Sequence, residues 1–315
     1  FLKVQFWIID RRRRDLQHGF SNYPAREPPS RQKSQKLRGE ELLNRKQRKK
    51  PTQRCNLAHI SYSELKNWAF CPFYHKLVNI DKLKGFRGNE FTAFGTAMHE
   101  VCEKTALKQL KEEDQEEFFM KKFLEELISL PDDLKLNENL VNSMREQGKS
   151  LIPEVFPALE DYFEDYEVVS TEEKLFEPIN DLKYAENYHF KGFIDLVVRT
   201  GDGKYHVIDW KTCSWGWDSR KKSEKMVTYQ LTLYKHFFAI KHGIDPKSVE
   251  THFALLKRTA KNNRVELFRV TSGPRKTENA LKLLDKALYN ISSKKHIKNR
   301  TSCSKCEFCK TKHCP

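Results

Sequence analysis

Gly192-Phe193-Ile194-Asp195-Leu196-Val197-Val198 and Tyr205-His206-Val207-Ile208-Asp209-Trp210-Lys211 are two apolar runs, each interrupted by charge and joined through Gly201-Asp202-Gly203. β-Branched and aromatic residues on either side of a Gly-Asp-Gly turn predict the two strands of an antiparallel hairpin. Side chains alternate across a strand, so Asp209 and Lys211 share one face while Ile208 and Trp210 share the other. Asp195 places a third charge inside the preceding strand. Burying an isolated carboxylate is costly, so both aspartates call for a cation or hydrogen-bond donors. A divalent ion held by the two carboxylates is the simplest answer. Mg²⁺ suits oxygen ligands and keeps waters, one of which can serve as a nucleophile, while Lys211 can orient that water or stabilise negative charge. A structural Asp209 to Lys211 ion pair at a strand end reads the same residues equally well.

Working outward, Glu167 to Ile179 reads as a strand before the hairpin, and Val249 to Lys257 and Arg264 to Thr271 as two more after it, joined through Lys261-Asn262-Asn263. Apolar residues at helical spacing predict helices over Ser61 to Asn79, with Ser61 or Ser63 as the cap, and over Thr92 to Lys111. Two or three charged amphipathic helices fill 114–165, and single helices follow at Lys222 to Lys241 and Lys276 to Ser292. There is no internal repeat. Helices, three strands, a helix, two strands, a helix and a cysteine tail make an α/β or α+β sandwich with a mixed sheet.

The 315 residues are 38% hydrophobic, enough to fill a core, and carry a net charge of +15. Residues 1–60 hold 16 Lys and Arg against five Asp and Glu, and residues 291–315 hold seven against one, so the basic character sits at the ends. The runs Arg11 to Arg14 and Arg45 to Lys50, with Pro28-Pro29 between them, predict a disordered basic arm that attracts phosphate by counterion release. A solvated linker or spurious upstream translation fits that arm as well. Phe1 in place of Met points to a fragment or an extension. No apolar run reaches the roughly 20 residues of a membrane span and no signal peptide is recognisable, so an intracellular, cytoplasmic protein with no membrane partner is expected.

Gln230 and Tyr234 lie four apart on the helix after the hairpin, hence on one face. His99, in Gly95-Thr-Ala-Met-His99-Glu100, sits on an early helix where Gly95 and Ala97 permit close approach of another element; taken singly it reads as a core histidine. The set Gly95-x-x-x-His99, Gly192-x-x-Asp195, Asp209-x-Lys211 and Gln230-x-x-x-Tyr234, in that order, resembles the PD-(D/E)XK nuclease superfamily and within it the RecB-like branch, over roughly Ser61 to Cys314. The resemblance implies a restriction-endonuclease-like α/β core: a central mixed β-sheet flanked by helices, with a helical N-terminal part and a Cys-rich C-terminal tail. It implies a nuclease domain over 58–315 with a helical insertion at about 112–165, after a basic extension over 1–57. His99, Asp195 and Asp209 would be ligands of Mg²⁺ or Mn²⁺, with the Trp210 carbonyl completing the sphere. Lys211 would be the catalytic lysine, and Gln230 and Tyr234 the DNA-binding helix motif. Asp209 stands where many relatives have Glu. A further carboxylate is often found on the strand before Asp195; Glu172 and Glu173 compete for it, adjacent residues point to opposite faces, and Glu173 is the one expected.

Cys303-x2-Cys306-x2-Cys309-x4-Cys314 packs four thiols into twelve residues, and in a chain without a secretory signal such density points to metal. Those four alone suffice for Zn²⁺. Ser63-x-Leu65 through Phe70-Cys71-Pro72-Phe73 resembles the opening helix of iron–sulfur RecB-like nucleases, whose early cysteine joins three late ones around a 4Fe-4S cluster. That resemblance implies Cys71 and Cys314 as ligands with two of Cys303, Cys306 and Cys309. Such a cluster would staple the first helix to the last residues, closing a loop of roughly 230 residues. Cys55, Cys102 and Cys213 read as ordinary thiols.

The expected activity is therefore a metal-dependent DNA nuclease, an exonuclease on single-stranded or free ends in recombination, repair or phage DNA processing, with any helicase partner unspecified. The competing readings are a non-cleaving DNA-binding or partner-binding protein of the same fold, and a zinc adaptor built on the tail.

Overall fold

The computed structural model describes residues 57–180 and 182–315; the expected basic extension and Cys55 lie outside the described residues, save Leu57. Strand β1 (Ala58–Ser61) leads into α1 (Tyr62–Phe70), whose N-cap Ser61 accepts from the Glu64 N–H at 3.2 Å. The expected single helix to Asn79 is broken at Cys71, which is extended (φ −164°, ψ 119°) because Pro72 disfavours a helical residue before it. The chain resumes as α2 (Pro72–His75) and a π-type turn over Lys76–Ile80. Next comes α3 (Glu90–Ala106), opened by a capping box between Asn89 and Thr92. Two helices, α4 (Gln115–Ser129) and α5 (Glu138–Phe163), occupy the charged amphipathic stretch.

Then follow β2 (Tyr166–Pro178), β3 (Tyr188–Thr200) and β4 (Tyr205–Cys213), with Gly203 at φ 81° in the tight β3 to β4 turn. A short helix α6 (Ser219–Ser223) precedes α7 (Lys225–His242), which Gly243 ends in the left-handed conformation. Strands β5 (Val249–Lys257) and β6 (Val265–Arg269) and helix α8 (Pro274–Ser292) complete the regular elements.

The six strands form one mixed sheet in the order β1-β3-β4-β5-β6, with β2 on the far edge of β3. β1 runs parallel to β3 and β4 parallel to β5; the other pairings are antiparallel. Four residues with two polar side chains gave β1 no periodic signature, and it was not foreseen. One sheet face packs under α1, α7 and α8 through Leu65, Phe190, Ile194, Phe237, Phe253 and Leu284. The other packs under α3, α4 and α5 through Phe94, Phe119, Leu159, Ile208 and Trp210. Gly148 lets α5 approach α4, because a Cβ there would sit 2.1 Å from the Phe119 ring. Each buried aromatic or aliphatic side chain in these layers contributes about 1.5–3 kcal/mol. No helix among the described residues is long and apolar enough to cross a membrane.

Candidate active site

One edge of β3 changes partner midway along its length. β3 pairs with β4 from Leu196 to Arg199 and with β1 from Tyr188 to Lys191, which leaves Gly192 to Asp195 between the two pairings. On β4, residues from Asp209 onward pair with β5 but no longer with β3. The strands therefore part beside Asp195 and Asp209. The Trp210 N–H, released from the ladder, donates to Asp195 Oδ2 at 2.8 Å and ties that carboxylate to the backbone beside Asp209.

Asp209 is 2% exposed. Its Oδ1 accepts from Gln230 Nε2 at 2.7 Å, and Gln230 lies 3.4 Å from the Tyr234 hydroxyl, so the helical i, i+4 pair on α7 forms the wall over this carboxylate. Asp209 Oδ2 is in contact with the Lys211 ammonium, as the strand period requires, and accepts no hydrogen bond of ordinary geometry. The glycine of Gly192-x-x-Asp195 makes room for α7: a Cβ at 192 would meet the Tyr234 ring at 2.9 Å. His99 reaches in from α3, its Nδ1 3.6 Å from Asp195 Oδ2. One turn earlier Gly95 faces Thr212 Oγ1, which a Cβ would meet at 3.3 Å.

The expectation for Glu173 is corrected. Glu173 has the parity of buried Leu175 and lies under α7, where Lys241 and His242 hold it at 2.8 and 2.5 Å and Ser170 donates to its other oxygen. Glu172 faces the other way, and one donor atom each of His99, Glu172 and Asp195 lies within 4.8 Å of the others. Glu172 adopts φ 45°, a left-handed conformation rare for a residue with a side chain, between Thr171 opposite Leu196 and Glu173 opposite Ile194. Sequence reasoning also passed over Tyr62 at the start of α1. Its buried hydroxyl has no hydrogen-bond partner, and burial first, then Tyr234 and Asp209, pushes its pKa well above the tyrosine range.

The electrostatics suit a cation. Burial and the charge on Asp209 push the Asp195 carboxyl well above the usual carboxylate range, with Lys211 opposing them. Burial lowers the His99 pKa, leaving a neutral ring with a free lone pair at neutral pH. Burial works against the Lys211 ammonium, but Asp209 and Asp195 outweigh it and its pKa rises. Three carboxyl groups, of Glu172, Asp195 and Asp209, outnumber the single ammonium of Lys211, an excess of acidic oxygens that a divalent ion would offset. Carboxylate oxygens with an imidazole, one of the oxygens under-bonded, are a donor set that fits Mg²⁺ or Mn²⁺.

A family model for the PD-(D/E)XK nuclease superfamily matches residues 59–314. The chain belongs to the PD-(D/E)XK nuclease superfamily. Its fold and family make it a nuclease, a class that hydrolyses phosphodiester bonds and generally uses divalent metals. The fold is also that of a crystal structure from Eubacterium rectale described as a "putative exonuclease", at 12% identity and a TM-score of 0.50, covering 78% of this chain and 85% of that one. A second crystal structure, of SSO0001, covers 86% of this chain and 90% of its own at 13% identity, with a TM-score of 0.36. No curated protein matches the sequence.

Besides its carboxylates this PD-(D/E)XK nuclease gathers cysteines. Cys71, at the break after α1, lines a pocket with Cys303, Cys306 and Cys314, walled by Phe73, Tyr74 and Leu77. Cys309 lies outside that lining, its free thiol against Cys303 and its backbone paired with that of Cys314. The Asn299 N–H donates to Cys71 Sγ at 3.2 Å, and Asn299 Nδ2 and the Ser302 hydroxyl donate to the Phe70 carbonyl at 2.9 and 2.5 Å. These bonds join chain ends more than 220 residues apart. Thiol donors around an apolar-walled pocket fit a thiolate-held metal centre.

Proposed function

We propose that this nuclease is a Mg²⁺- or Mn²⁺-dependent deoxyribonuclease of the RecB-like branch that trims single-stranded DNA from free ends. The observation that carries the reading is the parting of β3 and β4 at two carboxylates, with the Lys211 ammonium beside an under-bonded Asp209 oxygen. Asp195, Asp209, His99 and Glu172 would hold the ion, with the Trp210 carbonyl as a further ligand. A divalent ion there would polarise a phosphoryl oxygen and lower the pKa of a water. Lys211 supplies a fixed positive charge for the negative charge that develops on the phosphate during cleavage. Gln230 holds Asp209 Oδ1 from the side away from Lys211 and so keeps the carboxylate from rotating.

Single-stranded substrate is favoured by Trp215, 73% exposed four residues after Lys211 and followed in the chain by Arg220, Lys221 and Lys222 on α6. An exposed ring suits base stacking, and nearby cations in the sequence suit phosphate attraction, both without sequence preference. The end requirement rests on the likeness to the structure described as an exonuclease. We assign the cysteine pocket to a 4Fe-4S cluster held by Cys71, Cys314 and two of Cys303, Cys306 and Cys309, with Zn²⁺ as the other occupant the donors allow. The domain reading is a nuclease over 58–315 with its helical insertion in α4 and α5.

Anaerobic purification followed by cleavage of end-labelled linear and circular single-stranded DNA tests this function. Shortening of the linear DNA in Mg²⁺, none in EDTA and an intact circle support it; cutting of the circle overturns the end requirement, and no cutting of either DNA overturns the single-stranded deoxyribonuclease reading. A brown protein absorbing near roughly 400 nm supports iron–sulfur; a colourless, zinc-loaded one overturns it.

A further inference from the structure

Glu250 and His252 are two apart on β5 and so share a face, and the parallel register sets His206 of β4 opposite Glu250. All three lie on the sheet face under α5, the face opposite Asp209 and Lys211, where Phe163 packs edge-on to His252 and against His206. One donor atom of each lies within 4.8 Å of the other two. His206 Nδ1 is 3.0 Å from His252 Nε2 and 4.0 Å from Glu250 Oε2. The histidines are 6% and 2% exposed, and the cluster forms the floor of an open cavity of about 470 Å³ whose rim includes Asp165 and Asp202.

The hydrogen bonds around His206 fix its tautomer. A carboxylate only accepts, so the Thr200 hydroxyl, 2.5 Å from Asp202 Oδ1, donates to Asp202 and accepts from His206 Nε2–H at 2.9 Å. That leaves the Nδ1 lone pair of His206 directed at His252. A second hydrogen-bonding shell that holds the far N–H of the ring is the support that metal-ligating histidines have. Arg269 takes Glu250 Oε1 at 3.0 Å and leaves Oε2 towards His206. His252 Nδ1 is buried without a partner. Burial lowers the pKa of both rings, that of His252 to about 3, so both are neutral and available as donors near pH 7.

We propose that His206, His252 and Glu250 form a second metal site, for Zn²⁺ or a similar borderline divalent ion, separate from the Asp195 and Asp209 site. Two imidazole nitrogens and one carboxylate oxygen are a zinc donor set that keeps a fourth position open, here towards the cavity, whereas Mg²⁺ prefers oxygen. Binding replaces the hydrogen bond between the two rings, the His252 proton moving from Nε2 to Nδ1, and clamps the first residues of β4 to β5. Arg269 limits the affinity by placing a positive charge on the far side of Glu250.

Titrating chelator-treated full-length protein with Zn²⁺ against a chromophoric chelator tests this without nucleic acid, and so independently of whether the chain cleaves DNA. His252→Ala and Glu250→Gln are each expected to lose one bound equivalent, or to bind it at least tenfold more weakly, while Cys306→Ser and Asp209→Ala keep it. Glu250→Gln retains both rings and decides the matter if His252→Ala does not fold. Equal stoichiometry and affinity in the wild type and Glu250→Gln would overturn the site.

Discussion

Around Glu173 every charge has a partner, whereas around Asp195 and Asp209 charge is left over. Glu173 is 8% exposed, yet Ser170, Lys241 and His242 saturate its carboxylate. Its sequence neighbour Glu172 is exposed, holds a left-handed backbone and turns towards His99 and Asp195. There the strands part, one carboxylate is held by a single backbone N–H, the other keeps an under-bonded oxygen, and a lysine leans on it. A folded chain satisfies buried polar groups wherever it can, so a cluster left short of donors is where a ligand completes the set. The same chain shows both solutions one residue apart.

Experiments at the open end should show the largest effects. Lys211→Met is expected to lower single-turnover cleavage about 10²–10³-fold, the usual loss for one group that stabilises developing charge, while Mn²⁺ binding persists. Cleavage within threefold of wild type would remove Lys211 from the chemistry. The two glutamates should then separate the regions cleanly. Glu173→Gln is expected to cost about 1–3 kcal/mol in denaturant unfolding with cleavage unchanged. Glu172→Gln is expected to leave the unfolding midpoint in place and to raise the Mn²⁺ concentration needed for half-maximal cleavage. The reverse pattern would exchange their roles.

Smaller effects lie at the margins. Trp215→Ala should weaken binding of short single-stranded oligonucleotides by about tenfold, within the 1–3 kcal/mol of one stacking contact, and leave duplex binding nearly unchanged. The pH dependence of Glu173 has a definite sign. Burial alone would raise its pKa, but Lys241, Ser170 and His242 outweigh burial and lower it. The unfolded chain then takes up the proton more readily, so the stability Glu173 contributes is present above the ordinary glutamate value of about 4.3 and is lost as pH falls through the lower folded value. The stability gap between wild type and Glu173→Gln should therefore shrink on acidification below pH 4, as thermal unfolding at several pH values would show; a constant gap would mean that the ion pairs do not govern this carboxylate.

The hairpin, the shared face of Asp209 and Lys211 and that of Gln230 and Tyr234 on α7 were legible because each depends on local periodicity, while the link of the α7 pair to the carboxylates came only from the family resemblance. The parting of β3 and β4 was not, since it is created by β1, a four-residue strand that arrives from more than 120 residues away and carries no pattern. The choice between Glu172 and Glu173 failed for a related reason. Alternation says that they oppose each other but not which one reaches Asp195; Lys241 and His242 hold Glu173 at the C-terminal end of α7, while Glu172 comes within 4.8 Å of His99 and Asp195. The Cys71 break followed from Pro72 and was readable, yet the apolar periodicity running to Leu77 concealed it. Tyr62 has no signal beyond its aromatic ring; its place beside Tyr234 exists only once α1 and α7 have packed.

Asp209→Ala, assayed on labelled DNA in Mg²⁺ beside wild-type protein with matched circular dichroism and thermal unfolding, bears most directly on the account. Cleavage should vanish while the fold is retained, because the proposed ion would lose one of its two strand carboxylates and Lys211 loses its partner. A well-folded Asp209→Ala protein that cuts DNA at the wild-type rate would contradict the account.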